Sequence, residues 1–200
     1  MIDIVDKRLW KINKRRILRR LAREIKKKRV DEDVIPLLEV INSIPDFVTL
    51  SSCYGRIVIL ETDDIGDKVG SKFLAVWHNP VTISKIVKLL SKYYGEKTIW
   101  LQIQSTILHV STYNLIKALH FRNLAIEAGY KYSKILSISK RGITIEILGT
   151  ERLDIPIKRG RYTIVNLNEL KTVEKYIFKM FERIEKRKNK FIYLLKNRKI

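Results

Sequence analysis

From Phe47 onward, apolar runs of strand length recur, and helix-periodic segments stand between them and at both ends of the chain. Period-two and period-3.6 patterns bury different faces, so a chain written this way folds as sheet with helices packed against it. The runs are Phe47 to Ser51, Arg56 to Glu61, Lys72 to Trp77, Thr98 to Gln104, Ile107 to Val110, Ile135 to Ser139, Ile143 to Leu148, Arg152 to Pro156 and Tyr162 to Val165. Lys140, Arg141 and Gly142 join two of them as a hairpin, and the connection Thr62 to Ser71, with Gly66 and Gly70, reads as a mobile hairpin end.

Trp10, Ile17, Leu21 and Ile25 repeat at helical spacing at the start of the chain. Asp31 is placed to cap a second helix with Val34, Leu38 and Ile41 inward. Pro80 and Thr82 open a third that runs to about Tyr94, and Tyr113 to Ala128 closes at Gly129. A last helix starts near Asn168. The order implies an α+β chain, a mixed sheet flanked by helices, in one domain over residues 1–200 with basic helices at about 6–28 and 168–196. With 200 residues, 46% of them hydrophobic, such a core needs neither disulfide nor metal.

The net charge of +20 is not spread evenly. Residues 7–29 carry 13 basic side chains against Glu24, and residues 179–200 carry 9 against Glu182 and Glu185, so the two ends hold 19 of the 20 net charges. Concentrated positive charge repels itself unless a polyanion offsets it, and a phosphate backbone is the commonest polyanion in a cytoplasm. Arg15, Arg16, Arg19, Arg23 and Lys27 are the candidate nucleic-acid contacts on the first helix. A solvated helix face explains such a run less well, since those faces alternate in sign.

Several classes are excluded. Cys53 is the one cysteine, and His78, His109 and His120 lie far apart, so no metal-ligand spacing occurs and no metal is expected. No apolar run approaches membrane-spanning length, and the chain opens on a charged helix rather than a signal core; a cytoplasmic protein without a membrane or an obligate protein partner is expected. Gly-rich phosphate loops are absent, which argues against a nucleotide-binding Rossmann domain. Abundant Ile, Lys and Arg, with Gln102 and Gln104 the only glutamines, fit a thermophile.

Three stretches are candidates for chemistry. In TLSSCYGRIVIL (49–60), small residues Ser51, Ser52, Cys53 and Gly55 would let a ligand approach the backbone, and Arg56 could grip an anion; a tight turn with a buried cysteine satisfies the same letters. In FLAVWHNPV (73–81), Trp77 and His78 stand at a strand end before a helix, where a packed indole and a carbonyl-bonded imidazole are equally admissible. In ILHV, His109 occupies a matching strand end.

In that order, SSCYGRI, FLAVWHNPV and ILHVS resemble the signatures of the wybutosine-pathway tRNA methyltransferases, an archaeal-type family that is not Rossmann-folded. The resemblance extends through LAIEAGYKYSKI (124–135) and ITIEILGTERLDIP (143–156), where Glu146, Thr150, Arg152 and Pro156 fall on family positions, and covers about residues 30–187. Tyr54, Phe73, Trp77 and the Ser105-Thr106 pair depart from the family pattern. The resemblance implies methylation of nitrogen-4 of the tricyclic wyosine-type base 3′ to the anticodon of tRNA-Phe, with S-adenosylmethionine as donor. It further implies that Ser51, Ser52, Cys53, Gly55 and Arg56 touch cofactor or substrate, and that His78 first and His109 second are the candidate bases; the sulfonium of that donor favours an aromatic face, for which Trp77, Tyr54 and Trp100 are the candidates. A non-catalytic basic RNA- or DNA-binding protein is the alternative; it accounts for the charge but not for the three stretches.

Overall fold

The computed structural model describes residues 4–64, 66 and 69–198, with the backbone alone at 167 and 168. The described residues fall into two compact units, one from 4–54, Thr106–Thr150 and 184–198, the other from Gly55–Ser105 and Glu151–Arg183.

The first unit holds helices α1 (Lys7–Lys26), α2 (Ile35–Ser43) and α4 (Leu115–Ala128), strands β1 (Val48–Cys53), β5 (Ile107–Thr112), β6 (Lys134–Ser139) and β7 (Gly142–Leu148), and the C-terminal part of α5 (Leu167–Asn197). Its four strands pair in the order β1-β5-β7-β6. Asp6 caps α1 by accepting from Leu9 N at 2.9 Å, and Arg23 and Lys26 in the last turn suit its dipole. Trp10 anchors this helix, donating from its indole to Ser111 Oγ at 3.0 Å. Gly142 is required beside it, because a Cβ there would lie 2.5 Å from Ser111 Oγ and 2.9 Å from Trp10 Cδ1. Asn114 caps α4, which ends on Gly129 at φ +111°. Phe47 stacks on Phe121, and Phe191 of α5 meets the edge of Phe121 and of Tyr130, forming the centre of this core.

The second unit holds β2 (Arg56–Thr62), β3 (Lys72–Trp77), α3 (Ile83–Leu90), β4 (Thr98–Gln104), β8 (Arg152–Arg159), β9 (Tyr162–Thr163) and α5 up to Arg183. Its five strands pair in the order β3-β2-β4-β8-β9. One sheet face, with Ile57, Ile59, Ile99, Leu101 and Ile103, buries against Ile83, Ile86 and Leu90 of α3 and Ile177 and Phe181 of α5.

The α+β class and the absence of a Rossmann arrangement hold. Where one mixed sheet is expected, there are two, and every strand pair among the described residues is antiparallel. Alternating strands and helices suggest parallel crossovers in a linear reading, but here β2–β3, β6–β7 and β8–β9 are hairpins, and the helical connections return the chain antiparallel.

Two local expectations are corrected. Asp31 does not cap a helix: it precedes a 3-10 turn at Glu32–Val34, and its carboxylate accepts Tyr54 N at 2.9 Å instead. The third helix stops at Leu90 rather than near Tyr94, because Lys92 N and Tyr93 N turn tightly back to the carbonyls of Leu89 and Leu90. The expected mobility of the Thr62 to Ser71 connection rests on residues 65, 67 and 68, which lie outside the described ones.

Candidate functional site

In the sheet of the first unit, Leu108, Val110, Ile145 and Ile147 point into the core, so His109 and Glu146 at the alternate positions point away from it. The strand register sets Ser51 opposite His109, His109 opposite Glu146, and Glu146 opposite Lys134. Four polar side chains therefore stand in a row across β1, β5, β7 and β6. A bulge makes this phase: between Thr49 and Ser51 the pairing skips Leu50, which would otherwise oppose His109.

The row is hydrogen-bonded throughout. Ser51 Oγ lies 2.8 Å from His109 Nδ1, His109 Nε2 lies 3.2 Å from Glu146 Oε2, and Lys134 Nζ lies 3.0 Å from Glu146 Oε1. Burial pushes the Glu146 carboxyl up, but hydrogen bonds from Lys134 and His109, and their charges, outweigh it and hold the group below the usual carboxylate range. An ionised carboxylate only accepts, so His109 donates through Nε2, and in the neutral ring Nδ1 is left to accept from the Ser51 hydroxyl. The imidazole side chain is 26% exposed and the Glu146 side chain 12%, so the acidic partner is sheltered while the ring meets solvent. His109 is thus a mid-strand residue, not the strand-end residue expected, since β5 continues to Thr112.

Ser51 and Ser52 also line a pocket of about 220 Å³ with Arg20, Glu24, Arg29 and Asp31. Both signs of charge meet there. Arg29 pairs with Glu24 at 3.5 Å, and Arg20 donates to Leu50 O at 3.2 Å. Cys53 closes β1 and is half-buried. Tyr54, next in the chain, is held by its own contacts: its hydroxyl donates to Glu185, and the Lys188 ammonium sits 5.1 Å from its ring. Burial and the Glu185 carboxylate push its phenol up.

Arg15, Arg16, Arg19, Arg23 and Lys27 are all exposed on or just beyond α1. Lys14 is different, for its ammonium donates to the carbonyls of Ile44 and Pro45 at 2.9 Å each. The helix therefore separates a structural cation from a row of available ones.

The other candidates belong to the second unit. Gly55 takes φ +131° immediately before Arg56, which opens β2, donates from Nε to Gln104 Oε1 at 2.6 Å and lies 5.5 Å from the Phe73 ring. Gln102 donates to Asp154 Oδ1 at 2.8 Å, and Arg152 donates to Asp154 Oδ2 at 2.6 Å. A second polar row thus crosses β2, β4 and β8 with a guanidinium at each end. Trp77 ends β3 with Lys85 Nζ 5.7 Å from its ring, half-buried His78 follows it, and Trp100 sits mid-strand in β4.

The structure brings together Ser51 and His109 in one unit, and places Arg56 on the same sheet as Trp77 and Trp100 in the other. Glu146, Lys134, Gln102, Gln104 and Asp154 were not among the expected site residues. Three had a visible signal: Glu146 is the lone charge inside the apolar run Ile143 to Leu148, and Gln102 and Gln104 are the chain's only glutamines, two apart on one strand face.

Residues 12–197 match the family model Methyltransferase TYW3. The tRNA(Phe) 7-((3-amino-3-carboxypropyl)-4-demethylwyosine(37)-N(4))-methyltransferase 1 of Pyrococcus abyssi is 45% identical over 130 residues, 65% of this chain and 66% of that protein. The corresponding methyltransferase of Methanocaldococcus jannaschii is 36% identical over 165 residues, 82% of this chain and 85% of that protein. Among solved structures, the PH1069 protein from Pyrococcus horikoshii superposes with a TM-score of 0.89 at 33% identity, covering 94% of this chain and 96% of that one.

Proposed function

Because the chain belongs to the Methyltransferase TYW3 family, we propose that it methylates nitrogen-4 of the demethylwyosine-type base at position 37 of tRNA(Phe), the reaction for which its relatives are named. The observation that carries this reading is the family match across residues 12–197, which includes all three candidate stretches. A non-catalytic nucleic-acid binder would give no reason for the row from Ser51 to Lys134. Among the described residues no helix is long and apolar enough to cross a membrane.

S-adenosylmethionine supplies an electrophilic methyl group whose leaving partner is a neutral thioether. The pocket beside Ser51 and Ser52 fits its amino-acid portion by donor chemistry: Arg20 and Arg29 complement a carboxylate, Glu24 and Asp31 an ammonium or sulfonium, and small side chains leave room. In the transfer the base nitrogen forms a bond to carbon, the carbon–sulfur bond breaks, and the nitrogen must lose a proton. His109 is our candidate acceptor. Ser51 Oγ takes the proton and passes its own to Nδ1, while Glu146, neutralised in turn by Lys134, stabilises the imidazolium. The linear reading puts His78 ahead of His109; the order is reversed here because the described partners of His109 form a complete relay.

Calorimetry with S-adenosylmethionine, with and without tRNA, and mass spectrometry of nucleosides from tRNA lacking this methyl group test the proposal. Cofactor binding and gain of one methyl on the tricyclic base are expected. Folded protein that shows neither would remove the assignment.

The exposed arginines of α1 position tRNA without taking part in chemistry. Replacing Arg16, Arg19 and Arg23 together with glutamine should weaken tRNA binding and flatten its log-log salt dependence by up to about one unit per lost phosphate contact. Affinity titrations at several salt concentrations check this, and an unchanged slope would place the RNA surface elsewhere.

A further inference from the structure

The second unit carries a pocket that none of the candidate residues touches. It lies between the segment after α3 and the turn joining β8 to β9, has a volume of about 370 Å³, and is lined by Tyr93, Tyr94, Lys158, Gly160 and Arg161 among others. We propose that this pocket binds an unpaired nucleotide of the RNA substrate, with the base stacked on Tyr94 and the phosphate held by Arg161.

The pocket's walls are built for this. Tyr93 is a fixed wall: Lys158 Nζ donates to its carbonyl at 3.0 Å, Glu61 bonds its hydroxyl, and a Cβ at Gly95 would overlap its ring. The facing turn has only two residues, Gly160 and Arg161, since Arg159 pairs with Tyr162. Gly160 at φ +56° lets it turn so tightly. Against these fixed walls the Tyr94 ring is left in water, 85% exposed, and Tyr162, on the far side of the hairpin, is 83% exposed. Arg159 and Arg161 pair with no carboxylate among the described residues. Strand alternation sends Lys158 and Thr163 to the pocket side of the hairpin and Arg159 and Tyr162 to the other.

Exposed rings interleaved with uncommitted guanidinium groups are what a single strand of nucleic acid requires, since every base offers a stacking face and every linkage a charge. An acidic peptide would use the cations and leave the rings without a role. The volume is at the small end for ligand pockets and suits one nucleoside. The basic run Lys158-Arg159-Gly160-Arg161 also stands in the part of the chain that is otherwise nearly neutral, so it is a local feature and not a spill-over from the basic ends.

The inference rests on RNA being the substrate, and its test keeps the two separable. Full-length protein and the variants Tyr94→Ala and Arg161→Gln are titrated by fluorescence anisotropy with a tRNA-Phe transcript, a uridine decamer and heparin, a polyanion without bases, at several salt concentrations. Tyr94→Ala is expected to weaken both RNAs roughly tenfold with an unchanged salt slope and to leave heparin unaffected. Arg161→Gln is expected to lower the slope by about one for all three polyanions. Wild-type protein that binds and methylates tRNA, beside variants with unaltered RNA affinity and slope, overturns the pocket and leaves the function standing. Equal weakening of heparin and RNA by Tyr94→Ala overturns stacking. Wild-type protein that binds no tRNA overturns both.

Discussion

His109→Asn is expected to lower the single-turnover rate of methyl transfer by about two to four powers of ten while cofactor and tRNA affinities change little. Asparagine keeps a hydrogen-bonding group opposite Ser51 but takes up no proton near neutrality. Glu146→Gln should give a smaller loss, because the ring keeps a partner on Nε2 while the charge that stabilises the imidazolium is gone. His78→Asn belongs in the same assay. A near-normal rate for His109→Asn, together with a collapse for His78→Asn, would reassign the base.

The largest expected effect on stability comes from Phe121→Ala. Phe121 is fully buried, with ring centroids 4.6 Å from Phe47 and 5.4 Å from Phe191, so truncation removes two aromatic contacts at once and leaves a cavity that three elements line. A destabilisation of about 3 to 5 kcal/mol is expected, read as the shift in denaturant midpoint times the slope. Because the chain divides into two compact units, unfolding is best followed by more than one probe, and the shift should appear in signals from the unit that contains Phe121. A change below about 1 kcal/mol would mean that the site collapses around the smaller side chain.

Local pattern was legible wherever one face is buried. Lys72–Trp77 and Thr98–Gln104 are read to the residue, since alternation and flanking turn residues act over neighbouring positions. Thr82 at the start of α3 and Gly129 at the end of α4 follow for the same reason. What a linear reading cannot supply is register. Ser51 and His109 are 58 positions apart, and His109 and Glu146 37, and nothing short of the pairing of β1, β5 and β7 says that they touch. The bulge at Leu50 deepens the difficulty, because the register running on from Thr49 and Val110 would put Leu50 opposite His109 and Ser51 opposite Leu108. Asp31 failed as a cap because its carboxylate has a better customer in Tyr54 N, a long-range contact that local preference does not register. The recognisable motif and the geometry are different kinds of information: SSCYGR marks where to look, and the sheet decides which imidazole Ser51 meets.

The course of the chain through its two units has a consequence for biosynthesis. The first unit is assembled from three separated stretches and the second from two, and α5 supplies Leu170, Ile177 and Phe181 to one core and Ile184, Phe191, Leu194 and Leu195 to the other. On a ribosome the four strands of the first sheet have all been made by Leu148, yet Phe191, against which Phe121 and Tyr130 pack, is still unmade. At about 5 to 20 residues per second, several seconds pass in which finished strands lack the helix that covers them. Neither half can be completed and set aside while the other is translated. Nascent chains must therefore protect apolar sheet faces until α5 leaves the exit tunnel, and a stop codon anywhere before α5 would release a polypeptide in which both cores stand open.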